Sequence, residues 1–195
     1  MIEEQLRNRG DWLGASCLCR YDDAGFVLAA ELANGTLTLS GIGGKVEPGE
    51  TFRAAAEREV REETGTSPEL VALDGRQLGA EATEIPVPPG AGALIAQRMR
   101  DGNADRLLWI AVFAGALRER PRPVEKVSYF VVVPPEAFPV GDRPSNLAAL
   151  GLLSDSGVRP LSEWLPSGTR VTAVLTARAV LTTPGLLDAW WPRTS

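Results

Sequence analysis

The chain has 195 residues, a formal net charge of −5 and a sequence pI near 4.9, and this length allows one domain with a sizeable core, with or without an extension. The acidic balance argues against a general nucleic-acid-binding surface, and no apolar run approaches the ~20 residues of a membrane span. The chain contains no histidine, which excludes Ser-His-Asp and Cys-His catalysis and histidine-ligated metals. The polar N-terminus carries no apolar signal segment, so we expect a cytoplasmic location.

The first part of the chain has the pattern of strands joined by tight turns. Three strands are predicted, at 13–20, 26–32 and 36–40. Asn34-Gly35 between the last two is a strong signal for a type I′ hairpin turn. Cys17 and Cys19 fall on one face of the first strand, and we expect both thiols to be buried as small apolar groups.

A loop rich in glycine and proline comes next and leads into one prominent helix. Its turn-forming residues are Gly41, Gly43, Gly44, Pro48 and Gly49, which predict unusual backbone angles. Thr51 is well placed to cap the N-terminus of the helix, and Gly65 to end it in a left-handed conformation.

The rest of the chain predicts four more strands and then helices. The strands are expected at 69–73, 93–100, 106–117 and 126–133. The stretches SNLAALGLL, TRVTAVLTARAVL and PGLLDAWW in the last part read as helices. A mixed sheet with one central helix and terminal helices is typical of α+β or α/β proteins. We therefore predict one domain over 1–139 and a helical extension over 140–195 packed on it.

The carboxylates of the central helix lie in an unusual arrangement. Glu59 and Glu63 fall on the same stripe of the helix as Phe52 and Ala56. Like charges four residues apart repel each other, and burying unpaired carboxylates costs far more. With Glu62, one helical turn presents three carboxylates, which suit a hard cation such as Mg²⁺ or Mn²⁺. A backbone carbonyl at the Gly43-Gly44 turn could complete the coordination shell.

A plainer interpretation of this helix stays open. Charge-rich helices usually present a solvated face with ion pairs between residues four apart. Arg58–Glu62 and Arg53–Glu57 fit that interpretation, whereas the Glu59–Glu63 spacing does not. A phosphorylated substrate would be the natural partner of a Mg²⁺ site, because Mg²⁺ commonly binds through carboxylates together with substrate phosphates.

The glycine loop and the helix together resemble the Nudix hydrolase family. The family motif is G-x5-E-x7-R-E-U-x-E-E-x-G-U, in which U is a bulky apolar residue. The chain matches it with Gly44, Glu50, Arg58, Glu59, Val60, Glu62, Glu63 and Gly65. Thr66 departs from the motif at its last position, where the family has an apolar residue. The resemblance extends over the flanking strands, roughly 12–139.

The resemblance implies a fold, an activity and a set of roles. The fold would be an α/β/α sandwich with a mixed sheet, and the activity would be Mg²⁺- or Mn²⁺-dependent hydrolysis of a nucleoside diphosphate linked to another moiety, or of a related diphosphate metabolite. Glu59, Glu62 and Glu63 would be the catalytic, metal-binding carboxylates, and the carbonyl of Gly43 would be a further metal ligand. The remaining pair, Glu50 and Arg58, would orient the loop and the helix.

The general base stays open in this reading. Glu59 activates water in some family members, whereas many members supply another acid from a late strand or loop. Tyr129 stands where that acid often lies, and Glu125 and Glu119 are close enough in sequence to replace it. Glu125 is accordingly a further candidate metal ligand.

The sequence indicates the substrate-binding residues less clearly than the metal ligands. Arg20, Arg98 and Arg100 are candidates for holding phosphates, with a solvated strand edge as the alternative. Several aromatic side chains could stack on a base or belong to the core: Trp12, Trp109, Phe113, Tyr129 and Trp164. No subfamily signature follows the motif, so the group attached to the diphosphate is open.

Two other functions are alternatives to hydrolysis. A non-catalytic, ligand-sensing Nudix domain would usually carry a DNA-binding extension, but the basic residues of 140–195 are only five arginines and no lysine. An isopentenyl-diphosphate isomerase relative would need a histidine-containing metal site, which the chain lacks. We expect a small-molecule partner and neither nucleic acid nor membrane. Many relatives dimerise, so a homodimer stays open, and 140–195 could cover the site, form a dimer surface or do neither.

Overall fold

The structure is a computed structural model that describes residues 2–22, 24–71, 77–78, 93–101, 104–124, 127–137 and 146–182. The α-helices are α1 (Ile2–Asn8), α2 (Phe52–Thr64), α3 (Leu161–Trp164) and α4 (Leu175–Thr182), with 3₁₀ turns at Pro135–Ala137 and Leu147–Ala149. Within these ranges, no helix is long and apolar enough to cross a membrane.

Twelve strands make up the sheet within the same ranges. They are β1 (Trp12–Tyr21), β2 (Gly25–Ala33), β3 (Thr36–Ser40), β4 (Ile42–Lys45), β5 (Pro68–Val71), β6 (Gln77–Leu78), β7 (Ala93–Asp101), β8 (Ala104–Leu117), β9 (Tyr129–Val133), β10 (Gly151–Ser154), β11 (Gly157–Pro160) and β12 (Arg170–Ala173). The strands predicted from the sequence at 13–20, 26–32 and 36–40 are confirmed as β1, β2 and β3.

The sheet is mixed, as predicted. Its main path runs β11-β10-β9-β2-β1-β8-β7-β6. At the centre β1 runs parallel to β8, with Trp12 opposite Leu108 and Tyr21 opposite Leu117, whereas β1 pairs antiparallel with β2 and with β4. A mixed sheet with helices confirms the α+β class.

Helices cover both faces of this sheet, which gives three layers. Residues alternate between the faces along β1, as a strand requires: Leu13, Ala15, Cys17 and Cys19 belong to the core beneath α1 and α2, while Leu18 belongs to the core beneath α3 and α4. This arrangement confirms the sandwich.

The two cysteines are buried, as expected. Neither Cys17 nor Cys19 has any exposed surface, and their sulfur atoms lie 3.2 Å apart. Burial raises the pKa of the Cys17 thiol well above its ordinary value, with the neighbouring Cys19 as a second cause. The Cys17 thiol is therefore held in its neutral form in the core.

The N-terminal helix α1 has a structural role that the sequence analysis missed. Glu3 is buried, and its Oε1 accepts a hydrogen bond of 3.0 Å from the backbone N–H of Phe52. Phe52 is the first residue of α2, where backbone N–H groups have no partner inside the helix. A carboxylate at this end is also favoured by the helix dipole. From α1, Arg7 donates to the carbonyls of Val46 and Glu47, which lie in the loop before α2.

We expect Glu3→Ala to lower the free energy of unfolding by about 1–3 kcal/mol, because it leaves a buried N–H without an acceptor. Glu3→Gln should lose less, since its side-chain oxygen can still accept. The measurement is urea denaturation at neutral pH, and Gln5→Ala on the exposed side of α1 is the control. Equal stabilities for Glu3→Ala and Gln5→Ala would contradict this role of Glu3.

The end of the chain contains more strand than the sequence analysis predicted. The stretch SNLAALGLL forms a 3₁₀ turn followed by β10, and TRVTAVLTARAVL divides into β12 and α4. β12 pairs parallel with β3, with Arg170 opposite Thr36, and β10 pairs with β9. The third predicted helix, PGLLDAWW, lies outside the described residues. Helical periodicity does not predict these strands, because their formation depends on pairing with strands that are distant in the sequence.

Candidate diphosphate-hydrolysis site

Helix α2 begins and ends where the sequence predicts. The hydroxyl of Thr51 accepts from the N–H of Ala54 at 3.1 Å, and Gly65 stops the helix at a φ of 71° while its N–H bonds to the carbonyl of Arg61. The side that faces the sheet is buried, through Phe52, Ala55, Ala56, Val60 and Thr64. These contacts fix the position of the glutamates along the helix.

Two of the glycines before α2, Gly43 and Gly44, form a strand where the sequence predicts a loop. They belong to β4, which pairs with residues 14–17 of β1. A Cβ on Gly43 would lie 2.2 Å from the carbonyl oxygen of Ala15 and 2.6 Å from the Cα of Ser16. Only glycine allows this close approach of two backbones, and the short β4 carries Gly43 and Gly44 to the edge of α2.

Each of these two glycines contacts one predicted glutamate. A Cβ on Gly44 would lie 2.4 Å from Oε1 of Glu59, so the carboxylate occupies the space that a side chain would fill. The backbone N–H of Gly43 donates to Oε2 of Glu63 at 3.3 Å. Adjacent residues of β4 therefore hold Glu59 and Glu63 on the same side of the strand–helix junction.

Arg58 connects the remaining charged groups. Its guanidinium contacts Oε1 of Glu50 at 2.9 Å, Oε1 of Glu59 at 2.7 Å and Oε2 of Glu62 at 2.9 Å, and it donates to the carbonyl of Lys45 at 2.9 Å. Charge-assisted bonds of this kind are short and orient their partners strongly. The predicted role of Glu50 and Arg58 in orienting the loop and helix has a direct physical basis in these contacts.

These contacts shift two pKa values. Hydrogen bonding to Arg58 lowers the pKa of Glu50 below its ordinary value of 4.5. The bond to Glu50, followed by the one to Glu59, raises the pKa of Arg58. Arg58 therefore stays cationic, and Glu50 stays ionised near neutral pH.

The Glu50 shift predicts a pH-dependent contribution to stability. Because its pKa is lower in the folded state, the Glu50–Arg58 pair stabilises the fold above the unfolded pKa, and that stabilisation is lost as pH falls through the lower folded pKa. We expect Glu50→Gln to be less stable than the wild type at pH 7, with a difference that shrinks below about pH 4.5. Denaturant titrations of both proteins across this range measure it, and a difference independent of pH would contradict the pairing.

The three motif glutamates differ in exposure. The Glu59 side chain is 14% exposed and that of Glu62 is 41% exposed, while Glu63 is half-buried. In the described part of the chain, no three carboxylate or thiol side chains are gathered closely enough to hold one metal ion. Arg58 holds Glu59 and Glu62, whereas Gly43 holds Glu63, so the metal assignment stays a prediction.

The residues nevertheless have the chemistry that a hard cation needs. All the predicted ligands are oxygens, the class that Mg²⁺ and Mn²⁺ prefer. Glu59 lies in a cradle at Gly44 that any larger residue would fill, and Arg58 touches one oxygen each of Glu59 and Glu62. The oxygen donors of this site therefore have the chemistry that a divalent cation needs.

The candidates for a late acid lie in different places. Glu125 is outside the described residues, but the N–H of its neighbour Val124 donates to the backbone carbonyl of Glu63 at 3.1 Å. Glu119 is exposed in the segment before it. The ring of Tyr129 packs edge-on against Trp164, with 4.7 Å between ring centroids. The segment leading to Glu125 thus runs along the C-terminal end of α2.

A cavity of about 690 Å³ lies beside this junction and shares Gly43 and Gly44 with it. Its walls come from α1, β1, β4, β8 and the start of α4. Trp12 and Leu175 are among the large apolar residues of the wall, and its charged residues are Arg7, Asp11 and Lys45. A cavity of this size suits a small-molecule ligand.

The residues predicted to bind substrate lie mostly elsewhere. Trp109 is fully buried, and its indole N–H donates to Asp11 at 3.0 Å. Among the described residues that line the cavity, neither Trp109 nor Arg20 occurs. Arg98 is opposite Leu107 in the β7–β8 pair, and its side chain is outside what the structure describes. Of the aromatic candidates, Trp12 is the one that reaches the cavity. Leu175 and Thr176 were missed, because no local signal distinguishes them.

Comparison with known proteins gives one match that covers most of the chain. The model of the NUDIX domain family matches residues 12–148. Among curated proteins, none matches the sequence.

Solved structures give weaker similarities. A NUDIX hydrolase from Nitrosomonas europaea is 16% identical with a TM-score of 0.42, covering 66% of this chain and 60% of that one. The MutT protein from Methanosarcina mazei Go1 is 20% identical with a TM-score of 0.41, covering 61% and 73%. A NUDIX-family hydrolase from Clostridium perfringens is 14% identical with a TM-score of 0.42, covering 60% and 77%. The assignment of a family therefore rests on the match to the family model.

Proposed function

Because the chain belongs to the Nudix family, we propose that it is a Mg²⁺- or Mn²⁺-dependent pyrophosphohydrolase that cleaves a nucleoside diphosphate linked to another moiety. The family acts on nucleoside diphosphate derivatives, and the chain is a hydrolase of phosphoanhydride bonds. The proposal goes further in naming the cation and its ligands, which are Glu59, Glu62, Glu63 and the carbonyl of Gly43.

The observation that carries the proposal is the contact of two adjacent glycines with two glutamates. Glu59 fills the space above Gly44, and Glu63 accepts from the N–H of Gly43. A purely solvated helix face would need no such cradle. Repulsion between carboxylates four residues apart is also relieved by positive charge, which Arg58 supplies in part.

The chain's own residues supply orientation and proton transfer. Arg58 positions the carboxylates of Glu59 and Glu62, and Glu50 positions Arg58 through its charge-assisted bond. Glu59 is the candidate to accept a proton from the attacking water, with Glu125 and Glu119 as the alternatives. When bound, Mg²⁺ or Mn²⁺ would act as a Lewis acid on phosphoryl oxygens and would lower the pKa of water.

The test is a panel of nucleoside diphosphate derivatives incubated with Mg²⁺, with Mn²⁺ or with EDTA, and analysed by mass spectrometry. We expect cleavage between the two phosphorus atoms in the presence of either cation and none with EDTA. Cleavage that persists in EDTA would contradict the cation dependence. Nucleotide binding without cleavage of any compound would favour the ligand-sensing alternative.

The remaining expectations about partners and location also stay proposals. A cytoplasmic location, a homodimer and the lack of nucleic-acid or membrane partners are consistent with the acidic sequence. Sedimentation at several concentrations tests the homodimer, and a monomeric species at every concentration would reject it.

A further inference from the structure

The start of α4 takes part in the cavity beside the glutamate site. Leu175 and Thr176 line this cavity together with Gly43 and Gly44. The parallel pairing of β12 with β3 brings them there, because β12 ends at Ala173 and α4 begins two residues later. The N–H of Val174 donates to the carbonyl of Leu39 at 2.9 Å, which fixes the crossing point.

Leu175 has a backbone conformation that is unfavourable for leucine. Its φ is 46°, in the left-handed region, where L-residues lose roughly 1–2 kcal/mol. The other described non-glycine residues with positive φ are Asp22 and Asn34, which lie in turns between strands and are residue types that tolerate this region. Such conformations persist where the surroundings enforce them, and they concentrate at ligand-binding sites.

The neighbour of Leu175 shows what enforces this conformation. Thr176 is 2% exposed, and a Cβ on Gly41 would lie 2.8 Å from the Cβ of Thr176 and 2.2 Å from the hydroxyl oxygen of Ser16. The first turn of α4 is therefore wedged against β1 and the residue before β4. With the chain held at Val174 and at Thr176, the Leu175 side chain is left at the cavity and 37% exposed.

Trp12 lines the same cavity, although it lies in the N-terminal part of the sequence and Leu175 in the C-terminal part. It is the first residue of β1 and is 38% exposed, although its neighbour Leu13 is buried. Exposed large apolar side chains that share one cavity usually mark a ligand-binding site, whereas exposed apolar residues without a function are scattered singly over the surface. An indole face is also well suited to stack on a planar ring.

We infer that Trp12 and Leu175 are specificity-determining residues, which hold the base of the nucleoside diphosphate substrate in the cavity while its diphosphate lies at the Gly43-Gly44 strand. This inference rests on the proposed function and names residues on which that function does not depend. It assigns the segment that contains β12 and α4 to substrate recognition.

Binding of AMP, UMP and inorganic pyrophosphate to four variants tests the inference by isothermal titration calorimetry. Trp12→Ala removes the stacking surface, Trp12→Phe keeps a ring, and Leu175→Gly removes the side chain while glycine tolerates the left-handed backbone. Val71→Ala is the control, because Val71 is 61% exposed on β5 and is not part of the cavity wall.

We expect the Kd for AMP to rise about ten-fold or more in Trp12→Ala, in line with base–aromatic stacking, and to recover largely in Trp12→Phe. Leu175→Gly should raise the Kd for AMP several-fold without lowering the melting temperature. The Kd for pyrophosphate should stay at the wild-type level in all variants, and the Kd for AMP should stay there in Val71→Ala. With a cleaved substrate, the change should appear in KM and leave kcat within about two-fold.

Equal AMP affinity in Trp12→Ala, Leu175→Gly and Val71→Ala would overturn the inference. If the wild type hydrolyses its substrate and these variants keep its KM, the proposed function stands and the inference fails. If the wild type hydrolyses nothing but binds AMP through Trp12, the proposed function fails while the binding of a base by Trp12 is retained.

Discussion

Glu59→Gln is expected to lower kcat by about two to four orders of magnitude, the range seen when a positioned acid or base is lost. The substitution keeps the size of the side chain in the cradle at Gly44 but removes the negative charge that Arg58 and a divalent cation would both contact. Steady-state kinetics on the substrate found in the panel measure the effect, together with the Mg²⁺ concentration at half-maximal rate, which should increase.

The matched control is Glu57→Gln on the same helix. Glu57 pairs with Arg53 at 3.2 Å and has a side chain that is 36% exposed. It should retain wild-type kcat, while Glu63→Gln should behave like Glu59→Gln. Near wild-type turnover in both Glu59→Gln and Glu63→Gln would reject the proposed roles, provided that thermal unfolding shows both variants to be folded.

Gly44→Ala is expected to abolish most activity and to leave the fold intact. The added Cβ would lie 2.4 Å from Oε1 and 2.5 Å from Cδ of Glu59. These atoms are the end of a flexible side chain, so the carboxylate can move away at little cost to stability. A displacement of about 1 Å at a catalytic group can cost on the order of 10²-fold in rate. Kinetics and melting temperature, measured together, check both parts.

Gly43→Ala provides the contrast. Its Cβ would lie 2.2 Å from the carbonyl oxygen of Ala15 and 2.6 Å from the Cα of Ser16, which are backbone atoms of β1 that cannot move independently. We therefore expect Gly43→Ala to lower stability through the β1–β4 pairing, unlike Gly44→Ala. A Gly44→Ala enzyme with full activity would show that Glu59 is not held in the position that catalysis needs.

Local signals in the sequence account for the correct part of the fold prediction. Thr51 and Gly65 mark the ends of α2 through capping chemistry that involves only residues three or four apart. The strands near the C-terminus depend instead on distant partners, such as Thr36 for Arg170. Their segments carry apolar residues at spacings that suit a helix equally well, so sequence reasoning placed helices there.

The candidate site divides in the same way. The motif brings Glu50, Arg58 and Glu59 together because all three lie within the loop and α2, and the structure adds their contacts. The contribution of Glu3 to capping α2 and that of Leu175 to the cavity were out of reach, because each depends on a tertiary contact with no sequence signature. A positive φ at a leucine, in particular, has no counterpart in composition or periodicity.

Because Cys17 and Cys19 are buried in the central strand, the reaction rate of their thiols can report conformational opening of the protein. Both thiols lie in the core between the sheet and helices α1 and α2, so a disulfide reagent such as DTNB can reach them only when this core opens. The labelling rate would then follow the population of the opened state. A nucleotide that binds only the closed protein should slow labelling in proportion to its occupancy, which offers a ligand screen that requires neither turnover nor a known product.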